Sequence, residues 1–234
     1  MLDIYAEALA LDPSNVRALL GVAGAHVIRV NNYLYENDRA PDLRLAYDAA
    51  KAAIALAPYF AAAQVSMGMV EIYSDQAARG IARCQRALEL DPNSTLAHTR
   101  IGLGKIFTGH SDETEAHMRE ALRLSPRDSD ASVWMMIVGH SKVHSQRFDE
   151  AIDWLTRSFE INQNHPLPNF YHAVALAYLD RIDEARSAVR TGLSLDSKFT
   201  IARFRTGASS TDSAYLAQRE MIYEGMRRAG VPEG

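Results

Sequence analysis

An all-α, right-handed superhelical solenoid is the architecture this sequence predicts, and three observations predict it. A helix-ending phrase recurs as Ala8-Leu9-Ala10-Leu11-Asp12-Pro13, Ala53-Ile54-Ala55-Leu56-Ala57-Pro58, Ala87-Leu88-Glu89-Leu90-Asp91-Pro92 and Ala121-Leu122-Arg123-Leu124-Ser125-Pro126. Two later copies, 158–163 and 192–197, lack the proline. The closing positions 13, 58, 92, 126, 163 and 197 are spaced by 45, 34, 34, 37 and 34 residues, a period long enough for one helix–turn–helix hairpin. Small residues also keep one register: Ala8, Ala53, Ala87, Ala121, Ser158 and Gly192 five before each stop, and Ala23, Gly68, Gly102, Ala173 and Gly207 ten after it, with Gly139 the equivalent displaced by three extra residues in 127–130. A mid-helix glycine costs about 1 kcal/mol against alanine. Its return at a fixed register therefore predicts that two helices cross closely there.

These signals lay out a leading B helix over 1–13, repeats over 14–58, 59–92, 93–126, 127–163 and 164–197, and a degenerate repeat with a capping helix over 198–234. The first helix, 2–11, carries the stripe Leu2, Ile4, Tyr5, Ala8, Leu9. It lacks a preceding A helix, which predicts that the chain is a piece of a longer protein. Helices are expected next over 14–35 and 41–56. This repeat is 11 residues too long, and the stretch from Val30 to Asp38 supplies the excess as a longer A helix and a polar turn before Pro41. Regular pairs follow over 60–73 and 76–90, 94–108 and 111–124, 130–144 and 147–161, 167–179 and 182–195. Proline closes four of the B helices because it has no N–H and restricts the residue before it. Asp112-Glu113, Asp149-Glu150 and Asp183-Glu184 open three of the B helices, where negative charge suits the helix dipole. The repeat is then broken by Ala208-Ser209-Ser210-Thr211-Asp212, with helices expected over 199–207 and 212–229. The last of these reads as a cap that turns a polar face outward, with Arg219, Arg227 and Arg228 solvated beside Glu220 and Glu224.

Composition excludes several roles. The net charge of −4 and a pI near 6.1 give the chain no electrostatic footprint for nucleic acid or an anionic membrane. There is no run of 18 apolar residues to span a bilayer. The single cysteine, Cys84, cannot make a disulfide within the chain and fits a small buried hydrophobe, and a reducing, cytoplasmic setting is expected.

In such a stack the A helices carry the concave groove. The positions flanking each small crossing residue are Val65, Met69, Tyr73; Thr99, Leu103, Phe107; Met136, His140, His144; and Phe170, Val174, Tyr178. This strip is apolar and aromatic, with Arg100 the lone basic residue nearby, so it lacks the cations that would clamp a carboxylate. It suits an amphipathic helix or another protein surface, and packing between adjacent A helices is the alternative for each residue. His140 and His144, one helical turn apart, have metal-binding spacing, but Ser141 stands where the zinc-protease motif needs glutamate and no third ligand is evident. Gly102-Leu103-Gly104-Lys105 lacks the spacing of a phosphate-binding loop. No cofactor and no catalytic residue is expected.

The 34-residue period resembles the tetratricopeptide repeat (TPR). Leu124-Ser125-Pro126-Arg127-Asp128, Arg147-Phe148-Asp149-Glu150-Ala151-Ile152, Phe199-Thr200-Ile201-Ala202-Arg203, Tyr215-Leu216-Ala217-Gln218-Arg219 and the ending Gly225-Met226-Arg227-Arg228-Ala229-Gly230-Val231-Pro232-Glu233 resemble the C-terminal TPR regions of bacterial class III adenylate/guanylate cyclases and related winged-helix regulators. The resemblance implies an accessory interaction module beside a catalytic or DNA-binding domain. It transfers no functional residue, because the cyclase aspartates and the winged helix lie in segments not present here. The expected function is a non-enzymatic module binding a protein segment, or its parent domain, in the groove. The alternative is a homodimerisation scaffold for a parent enzyme.

Overall fold

The structure, a computed structural model, describes residues 2–31 and 38–234. It is all-α, with two compact units, Met1–Gly104 and Lys105–Gly234. Among the described residues there are thirteen α-helices and one short 3-10 turn.

Unit 1 holds α1 (Leu2–Leu11), α2 (Val16–Asn31), α3 (Ala40–Leu56), α4 (Ala61–Tyr73), α5 (Ala77–Leu90) and most of α6 (Thr95–Phe107). Its hairpins are α2 with α3 and α4 with α5, and α1 packs on α2. Unit 2 begins in the last residues of α6. A 3-10 turn over Ser111–Glu113 leads into α7 (Thr114–Leu124), α8 (Ala131–His144), α9 (Phe148–Ile161), α10 (Leu167–Tyr178), α11 (Ile182–Leu195), α12 (Ile201–Thr206) and α13 (Ser213–Ala229). Its hairpins are α8 with α9 and α10 with α11. Most boundaries lie within two or three residues of the sequence expectation. The expected end of the 14–35 helix and the polar turn after it fall partly on 32–37, outside the described residues.

The stops work through one repeated geometry. At Ala57, Asp91, Ser125, Asn162 and Asp196 the backbone turns out of the helix while the N–H still donates to the carbonyl four residues back, 2.8–3.0 Å away. Those carbonyls belong to Ala53, Ala87, Ala121, Ser158 and Gly192, the small residues before each stop. Asp12, Asp91, Asn162 and Asp196 add a side-chain acceptor for the N–H two residues on, a local turn that competes with further helix.

The turn between paired helices holds a residue in the left-handed region: Asp75 (φ 61°), Gly109 (φ 76°), Gln146 (φ 58°) and Asp180 (φ 62°). The next N–H then reaches back five residues, Gln76 to Glu71, His110 to Lys105, Arg147 to Lys142 and Arg181 to Leu176, at 2.8–3.0 Å. Only Gly109 takes this conformation without a Cβ penalty.

Close crossing explains two of the recurring glycines. A Cβ at Gly68 would stand 2.7 Å from Cys84 Sγ and 2.8 Å from the Gly80 carbonyl, and one at Gly139 would stand 2.5 Å from Leu155 Cγ. Gly207 departs from the pattern: the A helix of the last repeat, α12, is short and ends before it, so Gly207 is its C-cap. Cys84 is buried in a cluster with Val65, Ile81, Ala87, Ala97 and Ile101, and burial pushes its thiol up to about 12.

Candidate functional site

The twelve strip residues lie on α4, α6, α8 and α10, and eleven of them are buried; Tyr178 is half-buried. In unit 1, Val65 belongs to the Cys84 cluster, Tyr73 Oη is 2.7 Å from Asn31 Oδ1 on α2, and Thr99 Oγ1 donates to the Leu96 carbonyl at 3.0 Å. Met69 and Leu103 are buried beside them. Val65 and Tyr73 thus contact neighbouring helices of unit 1, while the Thr99 bond stays within α6.

In unit 2 much of the strip is covered by α13, which packs on α10, α8 and α11. Its inward stripe is Tyr215, Gln218, Arg219, Ile222, Tyr223 and Met226, the i, i+3, i+4, i+7 spacing of one helix face. Tyr215 meets Phe107 edge-on, with centroids 5.4 Å apart, and stacks on His144 at 5.5 Å. Gln218 Oε1 accepts from His144 Nδ1 at 2.9 Å and from Ser111 Oγ at 3.4 Å. The Tyr178 hydroxyl donates to the Met221 carbonyl at 2.8 Å, and Arg228 sits 5.0 Å above the Tyr178 ring. A Cβ on Gly225 would stand 2.7 Å from Val174 Cγ1 and 2.8 Å from the Tyr178 ring, so the backbone of α13 lies directly against α10.

Both ends of α13 are fixed. Asp212 Oδ1 accepts from the Tyr215 N–H at 2.9 Å, and Gly230 (φ 88°) ends the helix in the left-handed conformation. Beyond it, the Pro232 and Glu233 carbonyls accept from the N–H groups of Ile201 and Ala202, at 2.9 and 2.8 Å, at the start of α12.

Arg219 corrects a sequence expectation. Read as solvated with Arg227 and Arg228, it is only 3% exposed. Its Nε donates to Tyr223 Oη at 2.6 Å, Nη1 to Tyr215 Oη at 3.2 Å and Nη2 to the Phe204 carbonyl at 2.6 Å, and the guanidinium lies 4.1 Å over the Phe204 ring. The planar fork and the aromatic faces explain why a cation is held there. Arg227 and Arg228 are exposed, paired with Glu224 and, for Arg227, Glu233.

The histidine pair lies beneath this helix. His140 stacks on Tyr171 at 4.3 Å and meets His144 edge-on at 4.6 Å. Burial holds His144 down to about 3, with the Arg219 charge acting the same way and the Gln218 hydrogen bond opposing; burial, His144 and Arg219 push His140 well below its ordinary value. Both rings are therefore neutral near pH 7, and both Nε2 atoms are buried without a hydrogen-bond partner. The Arg219 charge works against a cation bound there, and no group of three or more metal-ligating side chains occurs among the described residues. The alternating face of α13 was legible in the sequence as an amphipathic helix. That it lies against the strip was not, since the hairpin period carries no information past residue 207.

No protein-family model matches the chain, and no curated protein matches it. Solved structures do. A chain of the APC/C hetero-tetramer Cut9–Hcn1 superposes with a TM-score of 0.72 at 14% identity, over 96% of this chain and 39% of that one. PilF of Pseudomonas aeruginosa gives 0.60 at 15% identity, over 89% and 95% of the two chains. YrrB, described as a TPR protein with an unusual peptide-binding site, gives 0.51 at 13% identity, over 94% and 100%. At these identities the likeness shows the fold, a tandem array of TPR hairpins.

Proposed function

We propose that the chain is a non-catalytic protein-interaction module that receives a partner's amphipathic helix on the strip-bearing face of unit 2. One observation carries this reading: a helix already lies along that face, α13, held by Phe107, His144, Val174 and Tyr178. The face is thus shaped and chemically matched to helical ligands. YrrB, a TPR protein with an unusual peptide-binding site, is in keeping with it. A parent cyclase or winged-helix regulator, in a cytoplasmic setting, is part of the same proposal and rests on the sequence stretches quoted for it. In that setting the module would position partners.

A second reading, homodimerisation, is favoured by α1. No residue of that helix is buried, and Ile4 (69%) and Leu11 (90%) point into solvent. Light scattering on the wild-type chain and on Ile4→Glu/Leu11→Glu separates the two; a mass that halves in the variant supports pairing through α1. The interaction reading is tested by fluorescence anisotropy of the full chain against a library of amphipathic helical peptides. Saturable one-to-one binding is expected, and a library in which nothing binds refutes it.

A further inference from the structure

The binding face of unit 2 has its own competitor attached. We infer that α13 is a built-in pseudo-ligand, and that a partner helix gains the face by displacing it while reproducing its stripe: an aromatic, then glutamine and arginine, then an aliphatic–aromatic pair, then a small residue against α10. This rests on the interaction reading above and names the chemistry of its partner.

Five observations carry it. The α13 interface is read by specific side chains: the Tyr215 ring between Phe107 and His144, the Gln218 amide on His144 and Ser111, and the absent side chain of Gly225 against Val174 and Tyr178. The helix is complete in itself. It has 17 residues, a side-chain cap at Asp212 and a left-handed Gly230, so it needs no partner to end properly. The chain between α12 and α13, residues 207–212, is non-helical, so release of α13 needs no helix to break, only Ser209 to be uncovered and the tail bonds at Ile201 and Ala202 to open. The docked state also leaves His140 Nε2 and His144 Nε2 buried without partners. An unmatched buried polar group works against burial, so docking is incompletely satisfied beneath the helix. The outward face of α13 carries its own ion pairs, Glu224 with Arg227 and Arg228, which survive release.

A tethered helix competes at an effective concentration near ~1 mM, so a free copy binds the intact chain weakly and gains once α13 is prevented from docking. The probe is a fluorescein-labelled synthetic peptide of residues 210–232, read by anisotropy with the full chain. In Val174→Cys/Gly225→Cys the two positions are close enough for a disulfide that locks α13 down. The oxidised chain is expected to bind no peptide, and reduction to restore binding, at least to the wild-type level because the Cβ at 225 also crowds the Tyr178 ring. The Gly225→Leu chain, whose α13 cannot seat against Val174, is expected to bind the wild-type peptide with a Kd lower by about tenfold or more, while a Gly225→Leu peptide binds none.

Equal binding to oxidised and reduced chains, or no gain in a Gly225→Leu chain that folds by circular dichroism, overturns the proposal. Should Gly225→Leu fail to fold, hydrogen exchange on the wild-type chain decides. Amides of α13 that exchange while α8 and α10 stay protected support the proposal, and α13 amides that exchange only together with them overturn it. Library peptides that bind equally to locked and open chains sink this inference and move the site of the interaction reading to another face, leaving the chain an interaction module. Binding of no library peptide in any state sinks that reading itself.

Discussion

Acid should loosen this protein well before its carboxylates protonate, and His144 gives the magnitude. The side chain is buried beneath Tyr215 and Gln218, near the Arg219 charge, and its folded pKa is about 3 against 6.5 when exposed. A base whose pKa is lowered by folding binds fewer protons folded than unfolded, so stability falls as pH drops through 6.5 and keeps falling until about 3. Between pH 7 and about pH 5 the unfolded state gains roughly 2 kcal/mol from this one residue. His140 is pushed down in the same direction, and His172, lowered to about 4, adds to the slope. The acidic groups held low by their partners, Glu113, Glu115, Glu150 and Glu184, lose their contribution only as pH falls through the carboxylate range. Urea unfolding at both pH values, for wild type and His144→Gln, isolates the effect. The midpoint should fall on acidification, and the fall should shrink by about 2 kcal/mol in the variant. A wild-type stability that is flat between the two pH values, or a slope unchanged by His144→Gln, would refute the burial argument.

Three further outcomes follow from packing and backbone geometry. Gly139→Ala drives a methyl to 2.5 Å from Leu155 Cγ and should cost about 1–3 kcal/mol in urea unfolding, and less when introduced into a Leu155→Ala background. Glu71 is 2% exposed and is held by Arg83 Nε at 2.8 Å to both carboxylate oxygens, with Arg79 at 2.9 Å. Arg83→Ala should lower stability by about 1–3 kcal/mol, since Arg79 still pairs the carboxylate; Arg79→Ala/Arg83→Ala, which strands the buried charge, should cost more, and adding Glu71→Gln to that pair should restore much of it. Gln146→Gly, at φ 58°, should raise the unfolding midpoint by about 0.5–1 kcal/mol in stability, with a smaller gain for Asp75→Gly because aspartate tolerates the left-handed region better.

Periodicity made the hairpins readable. Pro13, Pro58, Pro92 and Pro126 mark where B helices stop, and Gly68 and Gly139 mark where partners cross, because both demands recur with every repeat. The left-handed turn at Asp75, Gly109, Gln146 and Asp180 recurs equally, at intervals of 34, 37 and 34 residues, yet three of the four are not glycine, so composition hides it. The candidate site was half legible. The strip could be placed on the A helices from register alone, since register fixes which way a side chain points. Whether a second element lies over it is a tertiary fact without a periodic trace. Arg219 shows the same limit: an arginine between Gln218 and Glu220 reads as surface, and only the rings of Phe204, Tyr215 and Tyr223 explain its burial.

The tail after α13 has a mechanical corollary. Pro232 and Glu233 are joined to the first turn of α12 by two backbone hydrogen bonds. A pull on the C-terminus therefore loads α12 before any of the tension reaches the side chains of α13. The bonds at Ile201 and Ala202 form a clasp that must part first, and once it parts the helix can be peeled away from its Gly230 end.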